Sequence, residues 1–339
     1  MRLLRPSGLL LIEIAFIAGA AALSLSQVPK PPWASGGAGA AKAPSPAASP
    51  NESAADNSNP TIKVDVKLVN VFVTVTDGRG APVAGLGKDD FDVQEDGKAQ
   101  KISVFDKESA LPLSIVLDID TSLSTRKDLP LELSSARRFV HAILRPVDGL
   151  ALYGFSEYVD EVVPFTSDAN RIDHGIDRMR LGSATALYDA MYVGAQALDR
   201  RQGRKVMVVI TDGGDTVSKV DYQGALRATQ EAEAIVYSII IVPIEASAGR
   251  DTGGEHALIQ LSADTGGRYF YATSANQLDE AFRQISDELR TQYLLAYYPS
   301  DRFSSSDYRR IQVSLTGSPA SSSLNIRHRT GYYTSKAEF

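Results

Sequence analysis

The sequence contains no cysteine. That removes disulfide frameworks, thiolate metal sites and a lipid-modified N-terminal cysteine, while naming no compartment. Histidine is scarce too. His141, His174, His256 and His328 fall at no zinc spacing and in no recognisable nucleophile–base arrangement. Basic charge is not in excess either: 35 Lys and Arg against 41 Asp and Glu leave a formal charge of −6. That balance argues against nucleic acid as a main partner. What is present is ordinary for a globular protein, with 43% apolar and 22% charged residues. A chain of 339 residues has room for one large domain or two modest ones, with a substantial core.

The first residues speak to location. Arg2 and Arg5 precede an almost wholly apolar stretch, Leu9 to Leu25, and Ser24-Leu25-Ser26 supplies small residues for cleavage before Gln27. Glu13 is awkward there, since a carboxylate at mid-membrane is costly. Residues 1–26 are therefore expected to be an export signal, with an uncleaved single-pass anchor as the second reading. Either way the folded part is expected outside the cytoplasm: secreted, periplasmic, or tethered to the outer side of the cytoplasmic membrane. Residues 27–60 are rich in Pro, Ala, Gly and Ser with no apolar period, and read as a disordered linker. The run Gly36-Gly37-Ala38-Gly39 has no strand before it, so low complexity explains it better than a nucleotide loop.

Residues 61–108 form an N-terminal β segment. Val64 to Val75 alternates as a strand does, Asp77-Gly78-Arg79-Gly80 is a turn, and Phe91-Asp92-Val93 and Ile102-Ser103-Val104 flank a second turn at Glu95-Asp96-Gly97. From 110 to 290 strands alternate with amphipathic helices. Leu129, Leu133, Ala136, Val140 and Ile143 share one helical face, with Asp128 as N-cap. Leu150 to Phe155 and Val159 to Phe165 are joined too closely for a parallel pair, so they are expected antiparallel. Val206 to Ile210 and Ile235 to Val242 are continuous apolar runs, as strands covered on both faces are. A last helix opens with a capping box, Ser274 with Gln277. The pattern predicts an α/β fold, a Rossmann-like, doubly wound, mostly parallel sheet with helices on both faces. Residues 291–339 return to β: Gln292 to Tyr298, Ile311 to Leu315 and Leu324 to Tyr332. Arg309, Arg310, Arg327 and Arg329 are expected on a solvated strand face. Because β segments bracket the α/β domain, the two flanks are hypothesised to join as one sandwich or extended sheet, with the α/β domain as an insertion.

In an open α/β sheet, ligands bind beyond the carboxyl ends of the strands. Asp120-Thr121-Ser122-Leu123-Ser124 follows one apolar strand, and Thr211-Asp212-Gly213 follows another. Gly182-Ser183-Ala184-Thr185 precedes a helix that opens on the same edge. A carboxylate with neutral hydroxyls is an all-oxygen ligand set, suited to a small hard cation such as Mg2+.

The Asp-x-Ser-x-Ser stretch, the segment Thr185-Ala186-Leu187-Tyr188-Asp189-Ala190 and Ile210-Thr211-Asp212-Gly213 resemble the metal-ion-dependent adhesion site of von Willebrand factor type A domains. The flanks resemble the related family described from acidobacteria, through Asp90-Phe91-Asp92-Val93-Gln94-Glu95-Asp96-Gly97, Thr265-Gly266-Gly267-Arg268-Tyr269-Phe270 and Thr330-Gly331-Tyr332-Tyr333, among others. The resemblance implies Mg2+ bound through Asp120, Ser122, Ser124, Thr185 and Asp212, a set that Mn2+ or Ca2+ also suits. It implies binding of another protein, through a partner's Asp or Glu carboxylate, rather than catalysis. Leu123 stands where many relatives have Gly, and Asp118 where an aliphatic residue is usual.

Two rival readings fit parts of the same pattern. One is a metal-independent scaffold of the same fold, its polar loops merely capping helices. The other takes Asp118-Ile119-Asp120-Thr121-Ser122 as the first motif of haloacid-dehalogenase-type phosphatases, one Asp the nucleophile and the next a general acid beside Mg2+. That reading lacks a strand-end Lys and leaves Thr185 idle.

Overall fold

A computed structural model describes residues 68–107, 111–242, 252–301, 307–316 and 323–335. The expected export signal or anchor, the linker, the start of the first strand and most of the loop Ala246 to Gly254 lie outside the described residues. Among those described, no helix is long and apolar enough to cross a membrane.

Four strands come first: β1 (Val69–Thr76), β2 (Phe91–Glu95), β3 (Lys98–Gln100) and β4 (Ile102–Lys107). The α/β part then runs β5 (Leu113–Asp120), α1 (Leu129–Ile143), β6 (Gly149–Phe155), β7 (Val159–Thr166), α2 (Ala169–Ile176) and α3 (Leu187–Asp199). It continues with β8 (Arg204–Thr211), α4 (Tyr222–Glu231), β9 (Ala234–Ile241), α5 (Thr252–Asp264), β10 (Arg268–Ala272) and α6 (Ala275–Thr291). Four strands close the chain: β11 (Tyr293–Tyr297), β12 (Tyr308–Leu315), β13 (Asn325–Arg327) and β14 (Gly331–Tyr333).

The central sheet has the order β10-β9-β8-β5-β6-β7. All its pairs are parallel except β6 with β7, whose three-residue connection leaves no room for a crossover. All eight residues of β5 are buried, and alternation splits them between two cores. Ile115, Leu117 and Ile119 pack with α1, α2 and α6, whereas Val116 packs with α3, α4 and α5. On the first face, the rings of Phe139 and Phe282 stack with centroids 4.5 Å apart. Each such buried ring stabilises the fold by about 1.5–3 kcal/mol.

The flanking strands build two antiparallel sheets, β13-β1-β11-β4 and β14-β12-β2-β3, around a shared core of Val71, Val73, Val93, Tyr293, Leu295 and Val313. The α/β part is inserted between β4 and β11, which are hydrogen-bonded neighbours, so both ends of the insertion leave from one place.

Several sequence expectations need correction. The turn at Asp96-Gly97, both residues with positive φ, leads into the extra strand β3, and β4 belongs to the other sheet. Leu324 to Tyr332 is not one strand: it breaks into β13 and β14, which join different sheets. The arginines are not a solvated face. Arg309 is buried and paired with Glu95 at 2.7 Å, Arg329 is buried, and Arg327 pairs with the buried Glu288 of α6 at 2.6 Å. Of the set only Arg310 faces solvent. Charge along a short strand does not reveal a buried partner from a distant segment. At the start of α6, Ser274 accepts from the Gln277 amide, but the Gln277 side chain reaches Thr273 N rather than Ser274 N. Asp128 stands at the N-cap of α1 without a side-chain capping bond.

Candidate metal centre

β5 delivers Asp120 to the carboxyl edge of the sheet, where the chain turns sharply. The Ser122 amide donates to Asp120 Oδ1 at 2.8 Å, and Thr211 Oγ1 donates to Asp120 Oδ2 at 2.6 Å. Thr125 Oγ1 donates to the Ser122 carbonyl at 2.9 Å, which closes the loop on itself. Leu123 has ordinary right-handed backbone angles and leads into a single 3-10 turn, Ser124–Lys127. The loop therefore does not need the glycine common in the family that the sequence resembles.

Two hydroxyls of this loop lie side by side. Ser122 Oγ and Ser124 Oγ are 2.9 Å apart, and Ser124 Oγ donates to Asp212 Oδ1 at 3.0 Å. Asp212 comes directly after β8, the parallel neighbour of β5. Asp120, Ser122, Ser124 and Asp212 thus form one connected set of oxygens. Thr185 belongs to the same edge by backbone contacts. Its carbonyl accepts from the Thr216 amide at 2.8 Å, the Ala186 amide donates to Ser156 O, and the Gly182 amide donates to Thr121 O at 2.8 Å. Among the described residues, no hydrogen bond joins the Thr185 hydroxyl to the other four. Gly182 permits this junction: a Cβ there would come within 2.1 Å of Ser156 Oγ.

The electrostatics are one-sided. Burial pushes Asp120 up to about 6, against the hydrogen bonds from Thr211 and Ser122. Burial likewise raises Asp212. Beneath the loop, Asp118 is fully buried, and its two oxygens have no hydrogen-bond partner. Its carboxyl lies beside Gly194 of α3, inside the core. Glu132 of α1 was not singled out from the sequence, yet it too is buried with both oxygens unpartnered. Burial raises it first, and the charges of Asp120, Asp212 and Asp128 add to that. Its signal was available, since it falls three residues after Leu129 and four before Ala136, on the apolar face. Thr211 was also missed as a partner of Asp120, because a Thr at a strand end is unremarkable.

Among the described residues, none of these four acids forms an ion pair, and no three His, Cys, Asp or Glu converge as a cage. The donors are two carboxylates and neutral hydroxyls. Two ionised carboxylates match the charge of a divalent cation, which supplies the counter-charge that Asp120 and Asp212 lack, and the neutral hydroxyls leave part of its shell to other oxygens. The residues present fit Mg2+ on the chemistry of their oxygens.

An open α/β sheet with an oxygen-lined cluster at its carboxyl edge defines the class. Within it, residues 115–214 match the family described as the von Willebrand factor type A domain, and the chain carries a domain of that family. No curated protein matches the sequence. Among solved structures, the von Willebrand factor type A protein from Catenulispora acidiphila is 11% identical with a TM-score of 0.47, over 77% of this chain and 73% of that one. The vWF domain of the type V pili tip protein Mfa5 from Porphyromonas gingivalis is 15% identical with a TM-score of 0.44, over 52% and 95%. For the PilB minor pilin from Streptococcus sanguinis the values are 12% and 0.43, over 54% of this chain. This chain spans 62% of the length of PilB.

Proposed function

We propose that this protein is a Mg2+-dependent protein-binding module that works outside the cytoplasm. Asp120, Ser122, Ser124, Thr185 and Asp212 are the residues that hold the ion. When bound, the ion supplies a positive centre that a partner's Asp or Glu carboxylate completes. The observation that carries this reading is the hydrogen bond from Ser124 to Asp212, which joins two loops 88 residues apart into one oxygen set. The basic, then apolar, N-terminal stretch supports export, whether as a cleaved signal or as a membrane anchor.

Binding is favoured over phosphoryl chemistry by the burial of Asp118. A nucleophile must reach its substrate, and this carboxyl is enclosed against α3. A metal-independent scaffold is the second reading, because the hydroxyls and carboxylates also satisfy one another without a cation.

Retention of the purified protein on a glutamyl-coupled resin separates the two. Retention in Mg2+ that is lost in EDTA and in Asp120→Ala supports the ion-dependent reading. Equal behaviour in all three arms supports the scaffold.

A further inference from the structure

The loops that carry the oxygens also carry exposed apolar side chains. Leu123, between Ser122 and Ser124, is 54% exposed. Val217 is 45% exposed, and its amide donates to the carbonyl of Thr185. Leu181, 41% exposed, precedes Gly182, whose amide is bonded to Thr121. Tyr158, at 73% the most exposed of the large apolar side chains described, sits in the β6–β7 turn. Glu157 of that turn accepts from the Ser183 amide at 2.6 Å. Four separate loops thus present bulky apolar groups around one oxygen cluster, whereas single exposed apolar residues are normally scattered.

Among the exposed charges on these loops, Arg126, Lys127, Arg178, Arg180 and Lys219 outnumber Asp177 and Asp221. A partner's acid would be drawn to this face before contact. The apolar side chains then offer area that an acid alone cannot cover, and a protruding tyrosine is a common anchor in such contacts.

We infer that the rim of Leu123, Tyr158, Leu181 and Val217 selects a partner loop whose acidic residue is flanked on both sides by bulky apolar side chains. This rests on the ion-dependent reading above for the place of the acid. The rim supplies what the ion cannot, which is discrimination among the many acids that protein surfaces expose.

Two blocked pentapeptides test it, each with a central Glu, flanked in one by Phe on both sides and in the other by Gly. Binding is read by NMR shift titration of the full chain in Mg2+, with Mg2+ uptake measured alongside. The Phe-flanked peptide is expected to bind at least about tenfold tighter. The gap is expected to shrink below about threefold in Tyr158→Ser with Leu181→Ser, while Mg2+ affinity is unchanged. Equal affinities for the two peptides, or no binding of either, with Mg2+ bound overturns the rim. If no Mg2+ is taken up, the ion-dependent reading fails on its own. The preference for Phe measured in EDTA then decides the rim separately: its persistence supports the rim and its absence overturns it.

Discussion

Ser124 Oγ donates to Asp212 Oδ1 across 3.0 Å, joining the loop after β5 to the loop after β8. The contact exists because β5 and β8 are parallel neighbours, so that both chains end at one edge. Its removal by Ser124→Ala is expected to cost about 0.5–1.5 kcal/mol without metal. A double-mutant cycle with Asp212→Asn, read by urea unfolding in EDTA, checks this: additive effects would mean that the two loops do not depend on each other.

Leu123 makes a second case. Its right-handed backbone angles suit any residue, so Leu123→Gly gains no strain relief and adds freedom to the unfolded chain. The substitution is expected to lower stability by about 0.5–1 kcal/mol, with little loss of burial because the side chain is exposed. Urea midpoints at equal slope measure it.

Glu132 carries a pH signature. Its folded pKa is raised above the ordinary glutamate value of 4.5, by burial first. The folded state therefore holds this proton more tightly than the unfolded state does. The stability this gives is fully present below pH 4.5 and is lost as pH rises through the folded pKa. Glu132→Gln removes that slope, about 1.4 kcal/mol per pH unit within the window. Unfolding free energies in EDTA should move in favour of the variant as pH rises from 4.5. Parallel curves for the two proteins would mean that Glu132 titrates normally. Asp118 is unchanged in both proteins and drops out of the difference, whereas the charges of Asp120, Asp212 and Asp128 are part of what raises Glu132 and belong to the effect measured.

Arg309 tests the flanking sandwich. Glu95 is buried and accepts from Arg309 Nη1 at 2.7 Å, Tyr297 OH at 2.7 Å and Tyr332 OH at 2.9 Å. Arg309→Met leaves a buried carboxylate without its cation and is expected to cost about 3–5 kcal/mol. Adding Glu95→Gln should return part of that loss in thermal unfolding. A double variant as unstable as the sum of the singles would show that the two residues are not coupled.

Periodicity made most of the α/β part legible. The eight buried residues of β5 and the apolar faces of α1, α3 and α6 follow directly from residue type at fixed spacing. The strand ends located the oxygens, because parallel strands with short exits must all open on one edge. What stayed hidden depended on tertiary partners. Arg327 looks like a surface residue until Glu288 of α6 arrives beside it, and the break between β13 and β14 is decided by which sheet each half joins. Glu132 was legible in part: its place on the apolar face of α1 can be read from the spacing, but a glutamate on a helix is ordinarily solvated, and its full burial follows from how α1 packs.

The central claim is that Asp120, Ser122, Ser124, Thr185 and Asp212 hold one divalent ion. Calorimetric titration of Mg2+ into the chelator-treated protein tests it most directly. One site per chain in the natural protein and none in Asp212→Ala is the expected result. Absence of uptake in the natural protein, or equal uptake in both, would contradict it.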